Sequence, residues 1–323
     1  MTATASLHRS RALLMLLCAN FFWGLSFPVI KGVVLVQERL VPLAGSWFYT
    51  VNVVAPRFLL GVILILLFRP RTFFHSTRAE WTQGVVIGLF SAAGMLFQND
   101  GLQFTAASTS AFLTQLYAIL IPIYVALRSR RAPGPVVWLS CGLVLAGVAI
   151  LGRFDWRAAH LGRGEWETLL ASVFFMGQIL WLEKPAFAAN RALNLTLIMF
   201  ATQAVVFGGL TLLTMPDWAA LGTMWTSPAW VALILILTVF CTVVAYWLMN
   251  AWQPKISATE AGLIYCVEPI FGSAMALFVP GLISAAAAIA YANESLTMNL
   301  LVGGGLITAA NVLIQLRPPL RHA

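Results

Sequence analysis

The stretch LLCANFFWGLSFPVIK at residues 16–31 is matched later in the chain by LLASVFFMGQILWLEK at residues 169–184. Both leucines, both phenylalanines, the glycine and the closing lysine are identical in the two stretches. A second pair, SAFLTQLYAILIP at 110–122 and SATEAGLIYCVEP at 257–269, shares the opening Ser-Ala and the closing proline. Two matches in the same order predict that the chain is an internal duplication.

The composition indicates that both copies lie in a membrane. Hydrophobic residues make up 60% of the chain and charged residues only 9%, against about 25% charged in soluble domains. About 20 apolar residues are needed to cross the ~30 Å hydrocarbon core as a helix. The predicted spans are residues 12–36, 50–68, 81–99, 106–127, 135–151, 166–183, 196–215, 229–250, 256–279 and 297–316. The sequence therefore predicts an all-α integral membrane protein with ten transmembrane helices.

The two halves are expected to have opposite orientations in the membrane. Each half, residues 1–153 and 163–318, contains five predicted spans, and an odd number reverses the side from which the second half enters. Most Lys and Arg residues fall between spans on one side, which predicts that both termini are cytoplasmic. Inverted repeats are typical of secondary transporters, whose substrate site lies near the midplane between the repeats. A duplicated scaffold without transport is the alternative.

Four short motifs occur in a fixed order along these spans: FFWG at 21–24, APRF at 55–58, GLQFTAAS at 101–108 and EP at 268–269. In order and spacing they resemble the EamA family of the drug/metabolite transporter (DMT) superfamily. The resemblance implies a multi-pass carrier of the plasma (inner) membrane, often an exporter of amino acids or other small metabolites. Members usually carry a short Gly-Glu hairpin after the ninth span. Here Glu294 lies well beyond Pro269, and we expect residues 280–290 to extend the connection.

Glu268 is the leading candidate for a functional residue because it lies inside an apolar span. Twelve residues beyond Ile256, it is roughly 18 Å along a helix, past the midplane of a ~30 Å core. A carboxylate at this depth is tolerated mainly when it faces the protein interior, water or a partner. Pro269, and Pro122 in the first half, are expected to kink their helices. Glu268 either binds a substrate ammonium or coupling proton, or is a neutral or paired group that fixes helix packing.

Other polar and aromatic side chains are weaker candidates for substrate binding or coupling. They are Asn20, Trp23, Gln98, Asp100, Tyr117 and Tyr265. Asn20 and Trp23 are three residues apart and share a helix face, as do Tyr265 and Glu268. Packing explains each aromatic equally well, and Asp100 also fits a helix-terminal acid. We expect Arg57 to anchor the second span at the outer interface.

The remaining motifs favour a carrier over other classes of protein. The four histidines lie between or outside the predicted spans, and no phosphate-binding or catalytic motif is found, so we expect no enzyme activity, metal or cofactor. Basic residues form short clusters between spans, which argues against a nucleic-acid partner. The expected partners are a small-molecule substrate, the lipid bilayer and a proton as candidate coupling ion. Amino acids lead as substrates; drug-like cations, nucleobase-type metabolites, a channel and a non-transporting scaffold are alternatives, and the sequence does not indicate the oligomeric state.

Overall fold

A computed structural model describes residues 3–42, 44–72, 75–101, 104, 110, 113–151 and 162–315. Most of these residues are helical and none of them is in a strand, which confirms the predicted all-α class. The helices are α1 (Ala3–Leu40), α2 (Ser46–Phe68), α3 (Arg78–Gly101), α4 (Tyr117–Ser129), α5 (Pro135–Leu151), α6 (Arg163–Leu182), α7 (Ala192–Thr214), α8 (Trp218–Trp225), α9 (Pro228–Ile236, Leu237–Val244 and Ala245–Trp252), α10 (Ala258–Tyr265), α11 (Glu268–Ala276), α12 (Val279–Ala287) and α13 (Met298–Gln315). Most of the predicted fourth span before Tyr117 lies outside the described residues.

Several of these helices are long and apolar enough to cross a membrane. Four pass on length and hydropathy, and the bent helices α10–α11 and α12 together form a fifth candidate. The four are Arg9–Leu40, Ser46–Phe68, Ala192–Thr214 and Pro228–Lys255. Shorter apolar helices at Tyr117–Ser129, Pro135–Ile150 and Met298–Ile314 coincide with predicted spans. The chain is thus a multi-pass membrane protein.

The predicted ninth span, residues 256–279, is a broken helix. Helix α10 ends at Tyr265, a turn at Cys266 and Val267 follows, and α11 begins at Glu268. Helix α12 then turns away by 54°, so the expected extension at 280–290 is largely a short helix. Pro269 and Pro280 each stand at the first or second position of their helix. Proline is favoured there because the N–H it lacks has no partner within the helix.

The first connection differs from the sequence prediction. The predicted spans 12–36 and 50–68 leave residues 37–49 between them, but α1 continues to Leu40 and α2 begins at Ser46. At the end of α1, Arg39 Nη1 donates to the carbonyls of Ala287 and Ala288, at 3.1 and 2.8 Å. These are orphan carbonyls of the α12 C-terminus, so the extra length of α1 is used to cap α12.

Helix pairing places α1 at the centre of the site. The closest helix pairs are α3 with α6, α5 with α13, α2 with α7, and α3 with α7. Helix α1 packs against α11 and along α9. At Gly24 the contact with α11 is so close that a Cβ atom would lie 2.4 Å from Phe271 Cβ. This contact fixes Trp23 of α1 beside the break that precedes Glu268.

Candidate functional site

The helices surround a cavity of about 1190 Å³. Small-molecule sites are commonly about 300–1,000 Å³, so the space accommodates a metabolite together with water. Its walls come from α1, α2, α3, α4, α6, α9, α10, α11 and the segment after α12. At one end lie the exposed side chains of Lys31, Asn293 and Glu294.

The break between α10 and α11 places Glu268 in the wall of this cavity. Because Pro269 has no N–H, it cannot bond to the Tyr265 carbonyl four residues earlier. Val267 instead donates to Ile264 O at 3.0 Å, a tight turn that ends α10. Glu268 is the first residue of α11 and takes part in none of the ion pairs found among the described residues. Its half-buried carboxyl group is therefore available to a ligand.

Three aromatic rings line the cavity as a connected group. The Trp23 ring centroid lies 5.3 Å from that of Tyr246 and 5.5 Å from that of Tyr265, both in edge-on geometry. The Tyr265 hydroxyl donates to Gln253 Oε1 at 2.8 Å, which holds the ring in place. Trp23 Nε1 is buried without a hydrogen-bond partner in the described chain. The group offers flat apolar surface and one unused donor.

The wall from the first half carries two more of the predicted residues, Gln98 and Tyr117. Gln98 Nε2 donates to Thr114 Oγ1 at 3.2 Å, and Tyr117, 5% exposed, begins α4. Helix α4 continues through Pro122, so no break occurs at this proline; the turn lies earlier, at Gln115 and Leu116. Pro122 leaves the Ala118 carbonyl without its helical donor. Cys141 Sγ of α5 donates to that carbonyl at 3.3 Å, which replaces the lost bond.

Two of the predicted site residues lie away from the cavity. Asn20 is fully buried, and its Nδ2 donates to the Leu16 carbonyl of the same helix at 2.7 Å. Asp100 accepts a hydrogen bond from Arg163 Nη2 at 2.6 Å, and Arg163 Nε also donates to Glu167 at 2.8 Å. Asp100 therefore joins the end of α3 to the start of α6. Neither residue lines the cavity, and the contacts described for both are to other parts of the protein.

The structure adds two cations to the cavity, Arg57 and Lys31. Arg57 was expected at the outer interface, but α2 begins at Ser46, so Arg57 is the central residue of a 23-residue helix. It is 4% exposed and lines the cavity. Lys31, the closing lysine of the first repeat stretch, lies at the cavity mouth, with Nζ 5.7 Å from the Tyr291 ring centroid. The proximity of Arg57 to FFWG and EP was not visible in the sequence.

The end of the protein opposite the mouth is closed by polar contacts. Arg9 Nη2 and Glu260 Oε1 are 2.5 Å apart and join α1 to the first turn of α10. Glu183 accepts a hydrogen bond from the Ala258 N–H at 2.6 Å. Gln253 Nε2 donates to the Ile179 carbonyl at 2.9 Å.

Comparison with known proteins gives a family match, a curated relative and a similar solved structure. Residues 10–153 match the profile described as the EamA-like transporter family, which bears out the resemblance seen in the sequence motifs. A protein of Archaeoglobus fulgidus described as an uncharacterized transporter is 26% identical over 301 residues, covering 91% of this chain and 82% of the relative. A solved structure titled only as the crystal structure of a protein superposes with a TM-score of 0.67 at 15% identity, covering 95% of this chain and 96% of the other. At that identity the last match concerns the fold alone.

Proposed function

We propose that this chain, whose residues 10–153 match the EamA-like transporter family, is a secondary carrier of a small zwitterionic metabolite, most simply an amino acid. The family match and the archaeal relative support a membrane transporter. The observation that carries the substrate proposal is the cavity that brings Glu268 and the rings of Trp23, Tyr246 and Tyr265 together. A carboxylate beside aromatic faces suits an ammonium group. Export is the direction that the family resemblance implies.

Alternating access is supported by the asymmetry of the cavity. The side of Lys31 and Glu294 is open, while the Arg9–Glu260 pair and the contacts of Ala258 close the other side. With both termini cytoplasmic, as the positive-inside pattern predicts, the open side is external. The half-helices α10 and α11 meet at the site, and discontinuous helices of this kind form the substrate sites of many transporters.

Helix pairing supports two inverted halves, residues 1–153 and 163–318, with ten spans. Under the repeat alignment α2 corresponds to α7, and α5 to α13; each packs against its own counterpart. The contact of α3 with α6 has its counterpart in the contact of α9 with α1. A two-fold axis between the halves produces both kinds of pairing. The same axis lies at the interface where transporters of this architecture bind substrate.

The experiment is uptake of labelled amino acids into liposomes that contain the purified protein, with and without a pH gradient. We compare wild type, Glu268→Gln and the control Glu38→Gln, which changes an exposed acid outside the cavity. We expect saturable uptake that responds to the gradient in wild type and Glu38→Gln, and loss of that response in Glu268→Gln. Unchanged uptake by Glu268→Gln would leave the carrier but make Glu268 structural.

Other outcomes separate the alternative functions. Flux that rises without saturation indicates a channel, and absence of flux for every amino acid refutes the substrate class. Lipophilic cations and nucleobases are added to the same panel, because saturable uptake of these compounds alone would replace the amino-acid proposal. A protein that moves none of them is the scaffold of the alternative hypothesis.

A further inference from the structure

Arg57 is a buried cation at the centre of α2, at the depth where charge is least tolerated. Its side chain is 4% exposed, and the exposed part contributes to the cavity wall. Charged residues at such depth usually pair with one another or mark a substrate path. The partner of Arg57 therefore decides which of these roles it has.

Within the described residues, Arg57 makes one hydrogen bond and no ion pair. Its Nε donates to Thr242 Oγ1 at 3.1 Å. The ion pairs of the described chain join Arg9 with Glu260, Arg163 with Asp100 and Glu167, and Arg191 with Glu80. Glu268, whose carboxyl group lies in the same cavity, is not bonded to Arg57. The terminal nitrogens of the guanidinium are thus left to whatever enters the cavity.

The anchoring residue Thr242 belongs to the π-helical part of α9, Leu237–Val244. Stretches of π-helix are rare and are frequently found at functional sites. Thr242 is fully buried, so its hydroxyl is a fixed acceptor that orients the guanidinium plane. With Nε held, the two terminal N–H groups can bind a carboxylate in a bidentate manner.

The cavity therefore contains an unpaired cation and an unpaired acid, with aromatic rings in the same wall. The Tyr246 ring packs against Phe58, the neighbour of Arg57, at a centroid distance of 5.9 Å. Trp23 lies between Tyr246 and Tyr265, and Tyr265 ends the helix just before Glu268. We propose that Arg57 binds the carboxylate of the transported molecule while Glu268 faces its ammonium group. This inference rests on the proposed carrier function and limits its substrates to compounds with a free carboxylate.

The mouth lysine is less suited to this role. Lys31 is exposed to solvent and lies beside the Tyr291 ring, so an anion there competes with water. Arg57 is enclosed, and electrostatic attraction is stronger where water is excluded. A carboxylate is therefore expected to bind at Arg57 rather than at Lys31.

The test is a comparison of each standard amino acid with its α-amide, which keeps the ammonium but lacks the carboxylate charge. Both are used as competitors of liposome uptake and as stabilisers of the purified protein in a thermal shift assay. For wild type we expect the acid to bind and the amide to bind at least tenfold more weakly. Arg57→Gln should lower the affinity for the acid by roughly 10- to 100-fold, as expected for loss of a charge-assisted bond. The affinity of the amide should remain unchanged.

Two further variants distinguish loss of the Arg57 interaction from loss of folding. Thr242→Val keeps the side-chain volume and removes only the acceptor of Arg57 Nε, so it should weaken binding of the acid but not of the amide. Arg57→Lys keeps the charge without the bidentate geometry and should lie between wild type and Arg57→Gln. Glu268→Gln should weaken both ligands, since both carry the ammonium.

The outcomes distinguish this inference from the carrier proposal. If uptake is saturable but Arg57→Gln still discriminates acid from amide, the inference is wrong and the carrier stands. Equal binding of acid and amide by wild type also overturns it. If no amino acid or amide binds or is transported, the substrate class fails and the inference fails with it.

Discussion

The contact between α1 and α11 at Gly24 allows a direct test of the packing that supports the site. A Cβ atom on Gly24 would lie 2.4 Å from Phe271 Cβ, 2.8 Å from Gly272 N and 2.9 Å from Phe271 C. Carbon atoms pack at about 3.5–4.0 Å, so the two helices must separate by roughly 1 Å to accept alanine. Two of the three contacts are backbone atoms, which cannot rotate away.

The expected change in stability follows from two opposing terms. Overpacking of this kind destabilises by about 1–3 kcal/mol, while Gly→Ala within a helix stabilises by about 0.5–1 kcal/mol. Because rigid atoms are involved, we expect Gly24→Ala to destabilise the protein by about 1–2 kcal/mol. That corresponds to a thermal midpoint lowered by roughly 2–4 °C for a chain of this size. Uptake should fall as well, since Trp23 and Glu268 flank the contact.

Two glycines provide matched controls for the thermal unfolding assay in detergent. Gly209 lies in α7, and a Cβ atom added to it would meet no other atom within 4 Å, so Gly209→Ala should keep or slightly raise the midpoint. For Gly177, the repeat counterpart of Gly24, the three atoms nearest to an added Cβ are ring atoms of Phe90, at 2.7–3.0 Å. A ring can shift, so Gly177→Ala should be milder than Gly24→Ala. Equal midpoints for Gly24→Ala and Gly209→Ala would refute the reasoning.

Two further predictions concern the ends of the helices. Glu80, at the start of α3, accepts hydrogen bonds from Arg191 Nε at 2.8 Å and Thr77 N at 2.8 Å; burial alone would raise its pKa, but these bonds outweigh burial and lower the pKa to about 2. The stability that Glu80 provides is therefore complete above about pH 4.5 and is lost as the pH falls toward 2. Glu80→Gln should lower the thermal unfolding midpoint at pH 6 and make the midpoint depend less on acid pH. Glu38→Gln should do neither. Arg39→Gln removes the cap on the carbonyls of Ala287 and Ala288. Amide hydrogen exchange should therefore accelerate in peptides covering 279–297 but not in peptides covering α7. Equal exchange in wild type and variant would show that the cap is dispensable.

Glu268 could be singled out from the sequence as a candidate functional residue because a charged residue followed by proline interrupts an apolar run. The break of the helix there follows from the missing N–H of Pro269. Arg57 was placed too near the outer interface because the predicted span begins at residue 50 and the helix begins at Ser46, so Arg57 lies eleven residues from the helix start instead of seven. Errors of that size are inherent in boundaries read from hydropathy.

The side chains of Asn20 and Asp100 show a different limit of sequence reasoning. Residues three apart differ by about 60° around a helix of 3.6 residues per turn. That angle is enough for Trp23 to line the cavity while Asn20 lies in the core. Asp100 forms an ion pair with Arg163, which lies in the other half of the chain. The sequence around Asp100 does not predict a partner so distant in the chain.

The distribution of ion pairs separates the structural charges from those available for binding. Glu80 with Arg191, Asp100 with Arg163, and Arg9 with Glu260 all lie at or near helix ends, where each pair ties two segments together. Arg57 and Glu268 lie within the cavity and are joined neither to each other nor to another charge in the described chain. Burying unpaired charge is unfavourable, and a molecule that carries both signs can relieve it at both residues. A monovalent cation would satisfy Glu268 alone and leave Arg57 unpaired, so the charges of the cavity favour a zwitterion over a drug-like cation.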